Sequence, residues 1–429
     1  MNNFFTRIND GLNPILVKET RQTLAKIGYY VIGALVLLLI MTLGVISART
    51  PGKLAFEIVK IADIIIVAFI TLVHAARINQ ERRGNTELMF NTPMSPFKIV
   101  LGKYLSILCF SAFTIALSLP FATACYFMNG VSLIDIVFMI AQVIISALIF
   151  ASGALFICSI PRNKIYDSIP IVFVALYAAG MAIVLVISVM VMFDNLYNYF
   201  EPLGIIVFAA YIAIGFTLTM ANLTAPESNR FVPVKIVALA TVIIGAMFNF
   251  DYDFSPYIII LGTTILPGIC IVSPSGFSHR IMEGRSENIF TRVIGFIFVN
   301  NTYPTAILAM ITMACGFLNS IQKENFFYLL IFTFPYLAIA VHIKALMIRM
   351  GKTCHGGLIL VCIGIADIMI RLMLLIFANG SPIEEIFNRP DEILSGTCVA
   401  IICAISALTI LPGVIVKAKE YCLTGNKTE

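Results

Sequence analysis

The sequence predicts an all-α polytopic membrane protein with about twelve transmembrane helices. Of its 429 residues, 60% are hydrophobic and 12% are charged, whereas a soluble domain carries about 25% charged residues. So few charges cannot cover a surface that faces water. The apolar residues are also grouped in runs, most of them near the length of about 20 residues that a helix needs to cross a bilayer.

Twelve apolar runs define the predicted spans. The first run is about 21 residues long, which is enough to cross the membrane. It lacks the small-residue cleavage pattern of a secretory leader, so we expect no cleavable signal peptide. The spans are predicted at residues 27–48, 57–76, 99–127, 133–158, 168–193, 203–223, 234–250, 256–273, 302–318, 326–345, 357–378 and 395–416.

The positive charges predict the orientation of these spans. If the N-terminus is cytoplasmic and the spans alternate, 22 of the 28 lysines and arginines fall in cytoplasmic segments. Lysine and arginine are enriched in short cytoplasmic loops, so both termini are expected in the cytoplasm. The net charge of +5 is spread over these loops rather than over one basic face. We therefore expect the lipid bilayer as a partner and no nucleic acid.

Three regions follow from this arrangement. Residues 1–26 form a cytoplasmic and interfacial N-terminal region, residues 27–225 hold six spans, and residues 226–429 hold an additional six-span membrane region. In the first region Asn13 is a predicted helix cap and Pro14 the first helical residue. The mixed apolar and charged pattern of residues 14–26 predicts an interfacial helix. Its polar residues include Lys18, Glu19 and Arg21.

Residues 81–96 form a charged segment between the second and third spans. Gly84 is expected to end the helix of the second span, and residues 86–92 are expected to form about two helical turns. Glu87 would remain available to solvent or a partner, while Pro93 would end the turn. The apolar side of these turns consists of Leu88, Met89 and Phe90. A solvated loop is the competing interpretation of such a charge cluster.

Two stretches carry a resemblance to a known family. They are Asn13-Pro14 with Lys18-Glu19 and Arg21, and the run Arg83-Gly84-Asn85-Thr86-Glu87-Leu88-Met89-Phe90-Asn91-Thr92-Pro93-Met94-Ser95 with Val100-Leu101-Gly102-Lys103. Over about residues 10–225 the chain resembles the permease subunit of an ABC-2 type ATP-binding-cassette exporter. The sequence departs from the family pattern at Asn85, Thr86 and Asn91.

The resemblance implies a function and a set of partners. It implies a six-span permease domain over residues 27–225, located in the plasma membrane (the inner membrane of a prokaryotic cell). Residues 84–95 would be a coupling helix seated on a separate ATPase, which would bind ATP and magnesium. A second permease copy or a paralogue would complete the pathway. The implied coupling residues are Gly84, Glu87, Leu88, Met89, Phe90, Thr92 and Pro93, supported by the interfacial-helix residues Pro14, Lys18, Glu19 and Arg21.

The sequence predicts no catalytic, cofactor or metal site in this chain. Residues 350–353 resemble the end of a phosphate-binding loop, but Leu346 stands where the first glycine is required and no strand precedes it. The ten cysteines contain no Cys-x-x-Cys pair and the four histidines are scattered. ATP hydrolysis is therefore expected in a partner chain, and the protein itself is not expected to be an enzyme.

Two groups of charged residues fall in or beside predicted spans. Asp367 and Arg371 lie four residues apart and share a helix face, which predicts either a polar pathway lining or a structural ion pair. Glu57, Lys60 and Asp63 open the second span and are expected at a solvated helix end.

The competing functions differ in what drives them. A twelve-span secondary transporter driven by an ion gradient is the main alternative to the exporter, and a membrane enzyme or a scaffold is a third class. Transport that depends on ATP and on a partner chain would separate the exporter from the others.

Overall fold

The computed structural model of the chain describes nine ranges and four single residues. They are residues 13–24, 52–91, 94–127, 131–159, 202–224, 229–247, 288–299, 301–320 and 396–423, with Leu266, Ile269, Phe277 and Val341. All regular secondary structure in these ranges is α-helical. The predicted all-α class is therefore confirmed for the described residues. Asp367 and Arg371 lie outside them.

The helices are numbered here in chain order. They are α1 (Pro14–Leu24), α2 (Gly52–Asn91), α3 (Pro96–Phe127), α4 (Leu133–Ser159), α5 (Pro202–Leu223), α6 (Val232–Met247), α7 (Ile289–Phe298), α8 (Thr302–Ser320) and α9 (Gly396–Leu423).

Two of the described helices, α3 and α4, are long and apolar enough to cross a membrane. Phe290–Phe298 and Thr302–Thr312 form a pair bent by 86°, and together they are also long and apolar enough to count as one span. The chain is therefore a helical membrane protein with two or three such spans in its described part. This is fewer than the twelve expected from the whole sequence.

The expected helix break at Gly84 is wrong, because α2 runs without interruption from Gly52 to Asn91. A glycine inside a helix costs only about 1 kcal/mol relative to alanine. Strong helix formers, such as the charged residues 81–83 before it and Glu87 after it, outweigh that cost. Helix α2 ends two residues before Pro93, and α3 begins at Pro96. Thr92 and Pro93 lie outside the described residues.

The chain divides into two compact units. Unit 1 comprises residues 1–161, 175–204 and 211–223, and unit 2 comprises residues 162–174, 205–210 and 224–429. In unit 1, helices α2, α3 and α4 pack against one another, and α1 packs against α3.

Two apolar clusters hold the three-helix bundle of unit 1 together at different levels. The Ile107 cluster contains Ala75, Ile78, Ile99, Val100, Tyr104, Ile107, Ala151, Ala154, Leu155 and Leu223. The Met139 cluster contains Ala55, Phe56, Ala122, Cys125, Val131, Ile136 and Met139. In a bilayer such side chains stabilise a helix bundle through close packing rather than through removal from water. Each cluster draws on α2, α3 and α4, so the bundle is fixed at two levels.

Gly102 lets α1 approach α3 closely. A Cβ atom at residue 102 would lie 2.7 Å from Ile15 Cβ and 3.0 Å from Asn13 Oδ1. Both atoms belong to the start of α1, so a larger residue would push that helix away.

In unit 2, helix α6 is tied to the end of α7. Lys235 of α6 is fully buried, and its ammonium group donates to the carbonyl oxygens of Val299 at 2.6 Å and Phe298 at 3.4 Å. A cation at a helix C-terminus satisfies carbonyl groups that have no partner within the helix. Asn301 then caps the start of α8, since its side-chain oxygen accepts from Tyr303 N at 3.2 Å.

Replacing Gly102 with alanine is expected to lower the free energy of unfolding by about 1–3 kcal/mol, because the added methyl group overlaps α1. Gly295 in α7 is the matched control, since a Cβ there would meet only the Tyr421 hydroxyl at 3.7 Å. Gly295→Ala should be neutral or stabilising by up to about 1 kcal/mol. Thermal unfolding of both variants in one detergent measures the difference. Equal effects would contradict the close approach.

Candidate functional site

The N-terminal helix α1 is fastened to the start of α3. The Asn13 side-chain oxygen accepts from Ile15 N at 3.0 Å, and its amide nitrogen donates to the Lys98 carbonyl oxygen at 2.6 Å. The first bond caps α1, and Pro14 occupies the first helical position, where proline fits without losing a hydrogen bond. One side chain thus starts α1 and ties it to α3.

One face of α1 is buried although it carries a charge. Leu16, Glu19 and Thr23 are 9%, 1% and 2% exposed, and their spacing of three and four residues places them on the same side of the helix. Pro14 and Arg21 are exposed. The buried face of α1 therefore includes an enclosed carboxylate, which needs partners to offset its loss of water.

Two cations from different helices supply those partners. Lys103 of α3 lies 2.5 Å from Glu19 Oε1, and Arg77 of α2 lies 3.4 Å from Glu19 Oε2. The side chain of Lys103 is 4% exposed. Glu19 therefore joins α1 to α2 and α3 at a single point.

A second carboxylate extends this arrangement toward the end of α2. Glu81 Oε2 lies 3.0 Å from Lys103 Nζ, and Glu81 Oε1 lies 2.6 Å from Lys18 Nζ. Burial alone would raise the pKa of the Glu81 carboxyl, but Lys103 and Lys18 outweigh it and hold that pKa below its usual value. These five residues, Lys18, Glu19, Arg77, Glu81 and Lys103, are called the Glu19 cluster below.

Thr23 and His74 complete the contact between α1 and α2. Arg77 Nη1 donates to Thr23 Oγ1 at 2.5 Å, and Thr23 Oγ1 lies 3.4 Å from His74 Nε2. The other ring nitrogen of His74 lies 2.9 Å from the Ile70 carbonyl oxygen, and the ring packs on Phe110 at a centroid distance of 4.9 Å. In the described part of the chain, no group of three or more potential metal ligands comes together.

The Glu19 cluster lies directly beside the predicted coupling segment. Glu81 precedes Gly84 by three residues on the same unbroken helix, and Lys103 lies seven residues after the start of α3. The cluster therefore joins α2, ten residues before its end at Asn91, to the early part of α3.

The predicted site residues fall into three groups. Lys18 and Glu19 enter the cluster, whereas Pro14 and Arg21 do not. Residues 84–91 continue α2. The sequence analysis missed Arg77, Glu81 and Lys103 as partners of α1, because the pairs join residues 58 to 84 positions apart and local spacing carries no signal for them.

The expected solvated end of the second span is wrong for two of its three residues. Lys60 and Asp63 are only 4% and 0% exposed. Lys60 pairs with Glu57 at 2.5 Å, whereas neither carboxylate oxygen of Asp63 has a hydrogen-bond partner. Helical spacing shows which residues share a face, but it does not show whether a neighbouring helix covers that face.

Glu19→Gln is expected to lower the free energy of unfolding by about 3 kcal/mol, because Arg77 loses its carboxylate partner and the buried Lys103 keeps only Glu81. The control Arg21→Gln, on the exposed side of the same helix, should stay within about 0.5 kcal/mol. Thermal unfolding in one detergent checks both. A double variant with Glu19→Met and Lys103→Met should recover part of the loss. Additive losses would show that the two residues act independently.

The Glu81 contribution to stability is expected to disappear in acid. A carboxyl group with a lowered pKa in the folded state stabilises the fold while it is ionised. Its contribution is complete above the unfolded value of 4.5 and is lost as the pH falls through the lower folded value. The difference in melting temperature between the wild type and Glu81→Gln should therefore shrink on acidification. A difference that grows in acid would contradict the assignment.

No protein-family model matches this chain, and no curated protein or solved structure matches it either. The functional interpretation therefore depends on the chain's own residues and their arrangement.

Proposed function

We propose that the chain is the permease subunit of an ATP-binding-cassette exporter, which couples ATP hydrolysis by a separate ATPase to the outward movement of a substrate. The chain would lie in the plasma membrane with twelve spans and with both termini in the cytoplasm. The partner ATPase would bind ATP and magnesium. This proposal extends the resemblance carried by residues 10–225.

The observation that carries the proposal is the continuity of α2. One helix of 40 residues contains the apolar part that packs in the bundle, the Glu19 cluster contacts and residues 84–91. An unbroken helix transmits a push at one end to its whole length, because its backbone hydrogen bonds resist bending. A partner that grips residues 84–91 would therefore move α2 as a lever.

The Glu19 cluster would provide the point about which α2 turns. Glu19 binds Arg77 on α2 and Lys103 on α3, so α1 bridges the two helices that enter and leave the coupling segment. When the ATPases close on each other, the end of α2 would turn about this bridge. The packing of α2 against α3 and α4 would then change, and with it the access of the substrate to its pathway.

A second permease is expected to complete the pathway. Only residues 84–95 match the coupling pattern, so one chain offers a single docking element to the ATPases. A second copy of this chain or a paralogue would supply the other.

Substitution of Glu87 tests the partner. Glu87→Arg, or deletion of residues 86–92, is expected to abolish recovery of an ATPase with the tagged chain from native membranes in mild detergent. Mass spectrometry identifies the recovered proteins. Lys53→Gln is the control, since Lys53 is exposed at the opposite end of α2 from the coupling segment, and it should retain the ATPase. Both variants must insert into the membrane like the wild type. Unchanged association in the Glu87 variant, or no ATPase with the wild type, would refute the proposal.

An ion-coupled secondary transporter is the second candidate, and one observation favours it. Asp63 is a fully buried carboxylate in the helical bundle, and such groups are used for ion coupling in transporters. Transport in proteoliposomes separates the candidates, because the exporter requires ATP and its partner whereas the secondary transporter requires only an ion gradient.

A further inference from the structure

Between its two apolar clusters, the interior of the three-helix bundle mixes buried apolar side chains with buried polar ones. The Met139 and Ile107 clusters occupy the two levels of α2, α3 and α4. Between them all three helices place buried polar side chains. These polar side chains, called the polar layer below, are Lys60, Asp63 and Thr71 on α2, Ser111, Thr114 and Ser118 on α3, and Gln142 and Ser146 on α4.

Asp63 is the only acidic residue of this layer. It is 0% exposed, and neither of its carboxylate oxygens has a hydrogen-bond partner. Ser118 is the side chain that interacts with it. A buried ionised carboxylate is very costly unless hydrogen bonds or a cation compensate it, and the structure provides no such bond.

The charged groups around Asp63 are committed elsewhere. On its own helix, Lys60 pairs with Glu57 at 2.5 Å. On α3, Lys103 is held by Glu19 and Glu81. On α4, Asp135 accepts from Ser132 N at 2.7 Å. The other titratable side chains of these helices that border the layer are Tyr104 and Cys125 in the two apolar clusters and His74 beside α1. Within the described residues, Asp63 therefore has no cationic partner.

The hydroxyl groups of the layer are bonded within their own helices. Ser118 gives its hydrogen to the Ile115 carbonyl oxygen at 3.0 Å, and Thr114 gives its own to Phe110 at 3.1 Å. Ser111 and Thr71 bond their own helices in the same way. Each such hydroxyl can only accept a further bond. In this arrangement a protonated Asp63 can donate its O–H to Ser118 Oγ, whereas an ionised Asp63 would need the Ser118 hydroxyl to turn away from the Ile115 carbonyl oxygen.

We propose that Asp63 is a proton-binding site inside the membrane bundle, occupied in the conformation described here. A proton from water forms an O–H bond on one carboxylate oxygen, and its release restores the anion, with no redox change. Because Asp63 is fully enclosed, exchange with water requires α2, α3 and α4 to part. This inference holds for either class of transporter, and it adds a proton to the conformational cycle.

Infrared difference spectroscopy of the purified full chain tests the site directly. At about pH 7 an aspartate in water is ionised, so the infrared band of a protonated Asp63 differs from the bands of ordinary aspartates. The spectrum of the wild type minus Asp63→Asn is expected to contain the C=O stretching band of one carboxylic acid. Wild type minus Asp135→Asn, the matched control on α4, should contain only carboxylate bands. A carboxylate band in place of the acid band for Asp63 would overturn the proposal.

Stability and chemical labelling provide readouts that do not depend on the spectrum. Asn resembles the neutral acid, so Asp63→Asn should melt within a few degrees of the wild type. A large loss of stability would mean that the anion is needed and would count against the site.

A hydrophobic carbodiimide, which modifies protonated carboxyls, should label Asp63 more as the pH falls, with sodium chloride and potassium chloride giving equal labelling. Protection from labelling by sodium chloride alone would mean that Asp63 binds a sodium ion rather than a proton, which would overturn the proposal.

Discussion

The buried ion pair between Glu19 and Lys103 is the constraint on which the arrangement of unit 1 depends. Enclosing Glu19 is costly without its cations Lys103 and Arg77, so α1 has to lie where its buried face meets both α2 and α3. The other features follow from that position. Gly102 leaves room for Ile15, Asn13 ties the start of α1 to Lys98, and hydrophobic burial of Leu16 adds to the contact.

The two polar regions of unit 1 differ in how their charges are compensated. In the Glu19 cluster every carboxylate faces a cation, so the cluster holds three helix segments in one geometry. In the polar layer neither oxygen of Asp63 has a hydrogen-bond partner, and no cation pairs with it among the residues that the structure describes. A compensated network resists change, whereas an uncompensated acid changes its charge when its surroundings open. The Glu19 cluster therefore resists change at one level of unit 1, whereas Asp63 responds to its surroundings at another.

The sequence predicted the parts of this structure that depend on local chemistry. Helicity, the start of α1 at Pro14 and the apolar helices α3 and α4 follow from composition, capping and hydrophobic length. It failed at Gly84, where the helix formers around a glycine outweigh its modest cost. It also failed at Asp63, where burial depends on which helices cover the face. The partners of Glu19 are 58 and 84 residues away, so only the tertiary fold brings them together.

Helix α2 connects the two proposed inputs to the protein. Asp63 and Glu81 are 18 residues apart on one unbroken helix, which corresponds to about 27 Å along its axis. A small rotation about the Glu19 cluster therefore becomes a larger displacement at the level of Asp63. Such a displacement would separate α2 from Ser118 on α3 and admit water to the carboxyl group. Mechanical input at residues 84–91 and proton exchange at Asp63 would then be coupled, because the same helix has to move for both.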